Sequence, residues 1–300
     1  MLFGLFDSKA KRAKKLREAA SNGSFSEIST LIKRGVDIDE PDGDSGENAL
    51  TIAIMGGHND AVELLISSGA NVNFVASQGN TPLLSAAYQG DKNITVCRRL
   101  LDAGASVNLS PSSGQYAGVT ALYLAASKGA EKVSRLLLDA GADVSVRLPG
   151  GQSLMYAAAM GGNPNIIKAF KDRGVEANGK ENGGRRPIHI ATAADQPKAV
   201  LCLIELGVPV DQLSDDKETP LLVAAMNDNV ASAKVLIENR ADVSYAITPA
   251  DDRISPLLLA VTNGFDNLAK LLLDAGADPE APVRGDKTIL DYAKASKRKL

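Results

Sequence analysis

The sequence predicts an all-α solenoid, in which helix-turn-helix units stack side by side and are joined by short finger turns or β-hairpins. A pattern of about 33 residues recurs along most of the chain, which is typical of a repeat array. Aromatic residues make up only 4% of the chain and Trp is absent, so the core must be aliphatic. The abundance of Ala and Leu indicates helices that pack closely through small side chains.

The repeat is most regular at one turn position, which several copies fill with Pro. Successive occurrences of this position are separated by 34, 33, 39, 32, 34, 33, 36 and 33 residues. The residues concerned are Lys15, Ala49, Pro82, Ala121, Ser153, Pro187, Pro220, Pro256 and Ile289. One repeat cannot bury enough apolar surface alone, so each unit depends on its neighbours for stability.

Each element of the repeat has a physical reason. Thr81, Thr219 and Ser255 stand just before a Pro, so their hydroxyl groups are placed to cap the first helix of a repeat. Pairs of small residues such as Ala86–Ala87 let neighbouring first helices approach. Aliphatic triplets such as Leu136–Leu138 provide the buried face of the second helix, and a Gly with positive φ then ends it.

The chain resembles the ankyrin repeat family, whose signature is T-P-L-H-x-A with a period of 33 residues. The resemblance is carried by GNTPLLSAAYQG from Gly79, GVTALYLAASKG from Gly118 and ETPLLVAAMND from Glu218. It covers residues 14–293, which we interpret as eight repeats and a C-terminal half-repeat cap. An apolar and basic segment precedes this domain at residues 1–13, and a basic tail follows it at residues 294–300.

Three departures from the pattern are informative. Arg240 occupies a closing Gly position, where it should strain or reshape the helix end unless the backbone avoids positive φ. The 39-residue step contains two extra residues around Lys92 and Asn93, and it lengthens the finger from Ser110 to Tyr116. The 36-residue step lengthens a second finger, residues 245–253. Long loops on one side of a solenoid often mark the binding face.

The sequence offers little for catalysis or for cofactor binding. His58 and His189 both fall at positions that the repeat pattern explains, and we expect them to form hydrogen bonds to adjacent turns. Cys97 and Cys202 lie in apolar helical surroundings, where a thiol usually acts as a small hydrophobe. Zinc-ligand spacing and a G-x-x-x-x-G-K-[ST] loop are both absent. We therefore expect no enzyme activity, no cofactor and no metal site.

The resemblance implies that a partner protein is held by the finger turns and by the exposed side of the first helices, which form a concave face. By position, the exposed first-helix sites are Met55, Tyr88, Gln89, Ser127, Lys128, Ala159, Met160, Met226, Asn227, Thr262 and Asn263. Tyr116 belongs to this surface through the long finger. Met and Tyr suit adaptable interfaces, although packing under the neighbouring fingers is a structural alternative for the same residues.

The fingers also carry an acidic rim, which predicts a partner protein with a basic surface. The residues of this rim are Asp42, Asp44, Glu47, Asp215, Asp216, Glu218, Asp251 and Asp252. Solubility alone is the alternative explanation for these charges. The whole chain has a net charge of −3, with basic ends on an acidic body. A nucleic-acid-binding face needs clustered positive charge, so we expect no nucleic acid partner.

Two other functions stay open. Leu2, Phe3, Leu5 and Phe6 beside a basic cluster could form a short amphipathic anchor, which would make the chain a peripheral membrane adaptor that contacts lipid through residues 1–17. Packing of these residues over the first repeat is the simpler interpretation. The second alternative is a bacterial effector or immunity protein that blocks an enzyme with the long fingers. The N-terminal pattern is not that of a secretory signal, so we expect a cytoplasmic location. We also expect the chain to be monomeric on its own.

Overall fold

The structure is a computed structural model, and it describes residues 9–181, 183–248 and 253–295. Seventeen α-helices, one short 3-10 helix at Gly90–Asn93 and one β-hairpin form the regular structure of these residues. The α-helices are α1 Lys9–Ser21, α2 Phe25–Lys33, α3 Ala49–Gly56, α4 Asn59–Ser67, α5 Pro82–Tyr88, α6 Ile94–Asp102, α7 Ala121–Ser127, α8 Glu131–Asp139, α9 Leu154–Gly161, α10 Pro164–Asp172, α11 Pro187–Ala193, α12 Pro197–Glu205, α13 Pro220–Asn227, α14 Val230–Glu238, α15 Pro256–Asn263, α16 Asp266–Asp274 and α17 Ile289–Ala295.

The first helix of most repeats begins at a capping side chain. The hydroxyl group of Thr81 accepts a hydrogen bond from the backbone N–H of Leu84, three residues further on. Thr219 and Ser255 do the same at the N-termini of α13 and α15, which confirms the predicted caps. Such a cap is worth about 1 kcal/mol of stability, because it satisfies a helix donor that would otherwise lack a partner.

The helices belong to two compact units, residues 1–149 and 150–300, which we call unit 1 and unit 2. In unit 1 the first helices form one row, in which α1 packs on α3, α3 on α5 and α5 on α7. The second helices form another row, from α2 through α4 and α6 to α8. Buried alanines such as Ala20, Ala53 and Ala86 lie between the first helices and allow their close approach.

Unit 2 repeats this arrangement. Its first helices run from α9 through α11 and α13 to α15, and its second helices from α10 through α12 and α14 to α16. The last helix, α17, packs on α15 as a further member of the first row. The largest fully buried side chain is Phe170 on α10, and aliphatic residues such as Leu203, Leu236 and Leu272 fill the remaining second-helix core. The predicted all-α solenoid of helix-turn-helix units is confirmed.

Arg240 adopts the left-handed conformation of the glycines that it replaces. Its φ is 69°, and the corresponding residue after α16, Gly276, has a φ of 92°. The hydrogen bonds are the same at both helix ends. The backbone N–H of Arg240 donates to Ile237 at 2.9 Å, and that of Gly276 donates to Leu273 at 2.9 Å. The helix end therefore keeps its shape, and the non-glycine residue bears the strain.

The fingers are mostly tight turns rather than strands. A β-hairpin joins β1, Pro282–Arg284, to β2, Lys287–Thr288, before α17. One isolated antiparallel bridge pairs Ile247 with Ile254 in the lengthened second finger. The two extra residues predicted around Lys92 form part of the 3-10 helix between α5 and α6. The other lengthened finger folds between α6 and α7.

Several sequence predictions fall outside the described residues. These are the apolar anchor residues Leu2, Phe3, Leu5 and Phe6, the finger residues Asp251 and Asp252, and residues 296–300 of the basic tail. The limits predicted for the repeat domain at residues 14 and 293 stay predictions. None of the described helices combines the length and the apolar character that crossing a membrane requires.

Candidate protein-binding surfaces

A groove on unit 1 brings together residues from two first helices, the 3-10 helix and the long finger. Its cavity volume is about 340 Å³. Met55 lies in the last turn of α3, Tyr88 ends α5 and Gln89 follows it, and Tyr116 comes from the finger. The remaining lining residues are Asn80, Leu84, Ser85 and Lys92. We call this set of residues the unit 1 groove.

Two apolar side chains of the groove face solvent. Met55 is 59% exposed and Tyr88 is 52% exposed, which places both among the most exposed large apolar residues of the described chain. Gln89 is held between them, because its side-chain amide donates a 2.6 Å hydrogen bond to the carbonyl oxygen of Ile54 at the end of α3. This bond fixes the spacing of the two helix ends.

Lys128 extends the groove towards α7. Its ammonium group lies 4.0 Å from the centre of the Tyr88 ring, in a cation–π contact. Such a contact is worth about 0.5–1 kcal/mol at an exposed site. The sequence predicted Lys128, Tyr88, Gln89, Met55 and Tyr116 as binding residues, and the structure brings these five together.

The long finger is held firmly against the finger before it. The backbone N–H of Tyr116 donates to the carbonyl oxygen of Gln78 in that finger at 3.2 Å. Within the long finger, the backbone N–H of Gly118 donates to the carbonyl oxygen of Pro111 at 2.8 Å. Gly114 has a φ of 80°, and a Cβ atom at this position would lie 2.3 Å from the carbonyl carbon of Gln78. Only glycine fits there, so the position of Tyr116 depends on this close backbone approach.

The predicted first-helix sites of unit 2 are less concentrated. Met226 is 46% exposed at the end of α13, and Asn227 and Asn263 are exposed. Met160 is half-buried, and Ala159 is fully buried. The prediction of an exposed Ala159 was wrong, because this residue of α9 lies on the packed side of its helix.

The acidic rim of unit 2 is smaller than the sequence predicted. Glu218 is buried and accepts hydrogen bonds from the guanidinium group of Arg185, the closer at 2.9 Å. Asp215 is exposed, but it forms an ion pair with Lys180 at 2.8 Å. Asp216 is exposed. The prediction that Glu218 belongs to an exposed rim was therefore wrong. Glu218 lies one repeat after Arg185, and its carboxylate is paired with that guanidinium group.

The acidic finger of unit 1 is also engaged internally. Asp42 accepts hydrogen bonds from the backbone N–H and the hydroxyl group of Ser45, and these bonds lower its pKa. Glu47 is half-buried and accepts a 2.9 Å hydrogen bond from Asn80, while burial raises the pKa of its carboxyl group. Asp44 is exposed. The carboxylates of Asp42 and Glu47 are therefore engaged in hydrogen bonds within the protein.

The histidines have the structural roles that the sequence predicted. Nε2 of His58 lies 2.8 Å from the carbonyl oxygen of Ser21 in the preceding repeat. Nδ1 of His189 accepts from the backbone N–H of Arg186 at 3.1 Å, so its proton is on Nε2 and points to the carbonyl oxygen of Glu218. Burial lowers the pKa of His189, which keeps the ring neutral.

Both cysteines are buried, as the sequence predicted. Burial raises the pKa of the Cys97 thiol to about 12, so this group is a poor nucleophile near neutral pH. Among residues 9–181, 183–248 and 253–295, no group of three or more His, Cys, Asp or Glu side chains is placed to hold a metal ion.

Sequence reasoning missed the part that Lys92 plays in the groove. It is the charged residue among those that line the cavity. The signal was present in the 39-residue step, whose extra residues lie around Lys92. The pattern could not tell us which way they face, because this depends on the 3-10 conformation of residues 90–93.

Rows of short paired helices, in which most first helices begin at a capping side chain and the second helices end at a left-handed residue, define a protein built from stacked helical repeats. The chain belongs to the ankyrin repeat family. The family profile, described as "Ankyrin repeats (3 copies)", matches residues 16–111, 75–148, 122–212, 154–247 and 200–283. Ankyrin repeats generally act as protein–protein interaction modules.

Similar proteins share the repeats over part of their length. The chain is 44% identical over 105 residues to the Drosophila melanogaster protein "Ankyrin repeat and KH domain-containing protein mask", which covers 35% of this chain and 2% of the relative. It is 30% identical over 153 residues to human "Ankyrin repeat and SOCS box protein 16", covering 51% of this chain and 32% of the relative. The chain therefore matches a third or less of the length of these two relatives.

Proposed function

We propose that the chain is a binding module without catalytic activity, which acts as a scaffold, adaptor or inhibitor by holding a partner protein. In unit 1 the partner contacts the ends of the first helices and the long finger. The observation that carries this proposal is the unit 1 groove, where Met55 and Tyr88 expose apolar surface at 59% and 52% beside Tyr116. The general role of ankyrin repeats supports it.

The groove has the features of a binding site rather than of a scattered apolar surface. Its aromatic and Met side chains are residue types enriched at interfaces. Its walls are held by the Gln89 amide and by the packing of the long finger on Gln78. Because these parts are fixed before a partner arrives, binding loses little conformational entropy in ordering them.

Unit 2 offers a second contact surface at Met226, Asn227 and Asn263, with Met160 partly accessible. Asp215 and Asp216 lie in a finger of the same unit, and a partner with a basic surface stays the prediction for this region. Asp251 and Asp252 belong to the same prediction. The cytoplasmic location expected from the sequence is part of this proposal.

The proposal is tested by affinity purification of the tagged full chain from a lysate of the source organism. We compare the natural sequence with the double variant Met55→Ser and Tyr88→Ser by quantitative mass spectrometry. A true partner should lose about tenfold in recovery with the variant, since exposed apolar anchors at the centre of an interface carry much of the binding energy.

A matched control removes two exposed apolar side chains from second helices. Phe25 on α2 is 52% exposed and Leu201 on α12 is 39% exposed, so the double variant Phe25→Ser and Leu201→Ser changes a similar kind of surface. It should retain the partner. If every captured protein is recovered equally with all three chains, the groove is not the binding site and the proposal fails.

A further inference from the structure

The charges around the unit 1 groove differ in sign from those of the fingers. Lys92 is the charged residue of the lining, and Lys128 stands over the Tyr88 ring. Both lysines are exposed, and within the described part of the chain neither forms an ion pair with a carboxylate. By contrast, Lys180 is paired with Asp215 at 2.8 Å.

The carboxylates close to the two lysines in the sequence or the groove each have other partners. Glu131, which follows Lys128 in the sequence, forms an ion pair with Arg135 at 3.0 Å. Asp91 accepts a 3.0 Å hydrogen bond from the backbone N–H of Val133, so it is committed to the first turn of α8. Glu47 accepts from Asn80, and its second carboxylate oxygen is shielded from solvent. Two ammonium groups therefore remain available to a ligand, each with several N–H donors.

We infer that the unit 1 groove takes an extended segment of a partner protein in which an aromatic or long aliphatic side chain is followed closely by a carboxylate. The apolar side chain packs against Met55, Tyr88 and Tyr116. The carboxylate meets the ammonium groups of Lys92 and Lys128. This inference rests on the proposed function, and it specifies the chemistry of the partner at that site.

The geometry supports a peptide over a nucleic acid strand. Met55 and Tyr88 supply apolar surface that a phosphate backbone cannot use, and two lysines fall short of the clustered charge that phosphate contacts need. The cation–π contact holds Lys128 beside Tyr88, so apolar and charged contacts are offered side by side. An acidic residue next to an apolar one matches that pattern.

The test uses a phage-displayed library of random 12-residue peptides, selected on the full chain and read by sequencing. Each selection is repeated on three variants: Met55→Ser with Tyr88→Ser, Lys92→Glu with Lys128→Glu, and the control Lys132→Glu with Lys270→Glu. The control lysines are exposed on the second helices α8 and α16. Circular dichroism and thermal unfolding establish that each variant is folded.

We expect peptides that depend on Met55 and Tyr88 to carry Asp or Glu within three positions of an aromatic or aliphatic residue. A synthetic peptide of this kind should bind the Lys92 and Lys128 variant about tenfold more weakly, and the control unchanged. Selection on the charge-reversed groove should enrich Lys or Arg in place of the acidic residue.

Three results would overturn the inference, and they are distinguishable. If the peptides that depend on the groove are neutral or basic, the inference of an acidic partner segment is wrong, while the proposed function is not contradicted. If the selected peptides bind the Met55 and Tyr88 variant with the same affinity as the natural chain, the groove is not the binding site. A labelled 12-nucleotide strand of dT that binds as tightly as the selected peptides, with the same dependence on Lys92, would assign the site to nucleic acid.

Discussion

At the residue scale, one helix end carries a non-glycine residue in the left-handed conformation that glycine adopts in the other repeats. Arg240 closes α14 with a φ of 69°, a value that costs a non-glycine residue about 1–2 kcal/mol. Its helix-ending hydrogen bonds have the same lengths as those at Gly276. The cost is therefore not relieved by a change of geometry, and it must be offset by the packing of the repeat.

This strain predicts that Arg240→Gly stabilises the protein. The free energy of unfolding should rise by roughly 0.5–1 kcal/mol, because glycine adopts positive φ without a steric penalty but gains freedom in the unfolded chain. The midpoint of urea unfolding, followed by circular dichroism, measures the change.

Gly276→Ala is the matched control. A Cβ atom at position 276 would meet nothing within 4 Å. The variant therefore tests only the cost of a φ of 92° for a non-glycine residue. This variant should be destabilised by about 1 kcal/mol. A lower midpoint for Arg240→Gly would show that the Arg240 side chain stabilises the folded protein by more than its backbone strain.

At the scale of an element, the long finger is shaped by one close approach. Gly114 needs a φ of 80° and leaves no room for a Cβ atom beside the Gln78 carbonyl group. The backbone hydrogen bond from Tyr116 to Gln78 then holds Tyr116 at the groove. The residues that lengthen this finger are thus packed against the finger before it.

Gly114→Ala should therefore weaken binding of a groove peptide as well as stability. We expect a loss of about tenfold or more in affinity, because the finger must move away from Gln78 and takes Tyr116 with it. Isothermal titration with a selected peptide measures the effect.

The comparison for this prediction is Gly104→Ala. Gly104 has a similar φ of 90°, but a Cβ atom there would meet nothing within 4 Å. It should lose stability while keeping its affinity for the peptide. Equal affinity losses in the two variants would mean that backbone strain, and not the contact with Gln78, affects the groove.

At the scale of the molecule, the contacts within each unit run from one helix pair to the next. In unit 1, α1 packs on α2 and α3, and α2 packs on α4. Stability in such an array is close to a sum of repeat terms and nearest-neighbour terms. Local damage should then spread only to adjacent repeats.

We predict that Leu16→Ala loosens the end of unit 1 before its remainder. Leu16 is 1% exposed in α1, and loss of a buried Leu side chain costs about 2–5 kcal/mol. Amide hydrogen exchange should accelerate strongly in α1 and α2, less in α3 and α4, and not in α8. A uniform acceleration across α1–α8 would instead indicate that unit 1 opens as a single cooperative block.

The repeat architecture could be predicted from sequence because its determinants are local. The cap at Thr81, the small pair Ala86–Ala87 and the closing glycines act within a few residues of their own position. The residues that line the unit 1 groove were predicted in part, since position in the repeat identified Met55 and Tyr88. The sequence did not predict that Arg185 pairs with Glu218 or that Lys92 faces the groove. Both depend on contacts between residues of different turns.

The insertion that builds the groove is confined to the 3-10 segment and the finger, and it leaves the helix rows of unit 1 intact. The proposed site thereby combines residues of the helix rows, such as Met55 and Tyr88, with residues added outside them, such as Lys92 and Tyr116. If the proposed site is correct, laboratory selection at residues 90–93 and 110–116 should change peptide preference while the helix rows of unit 1 are kept.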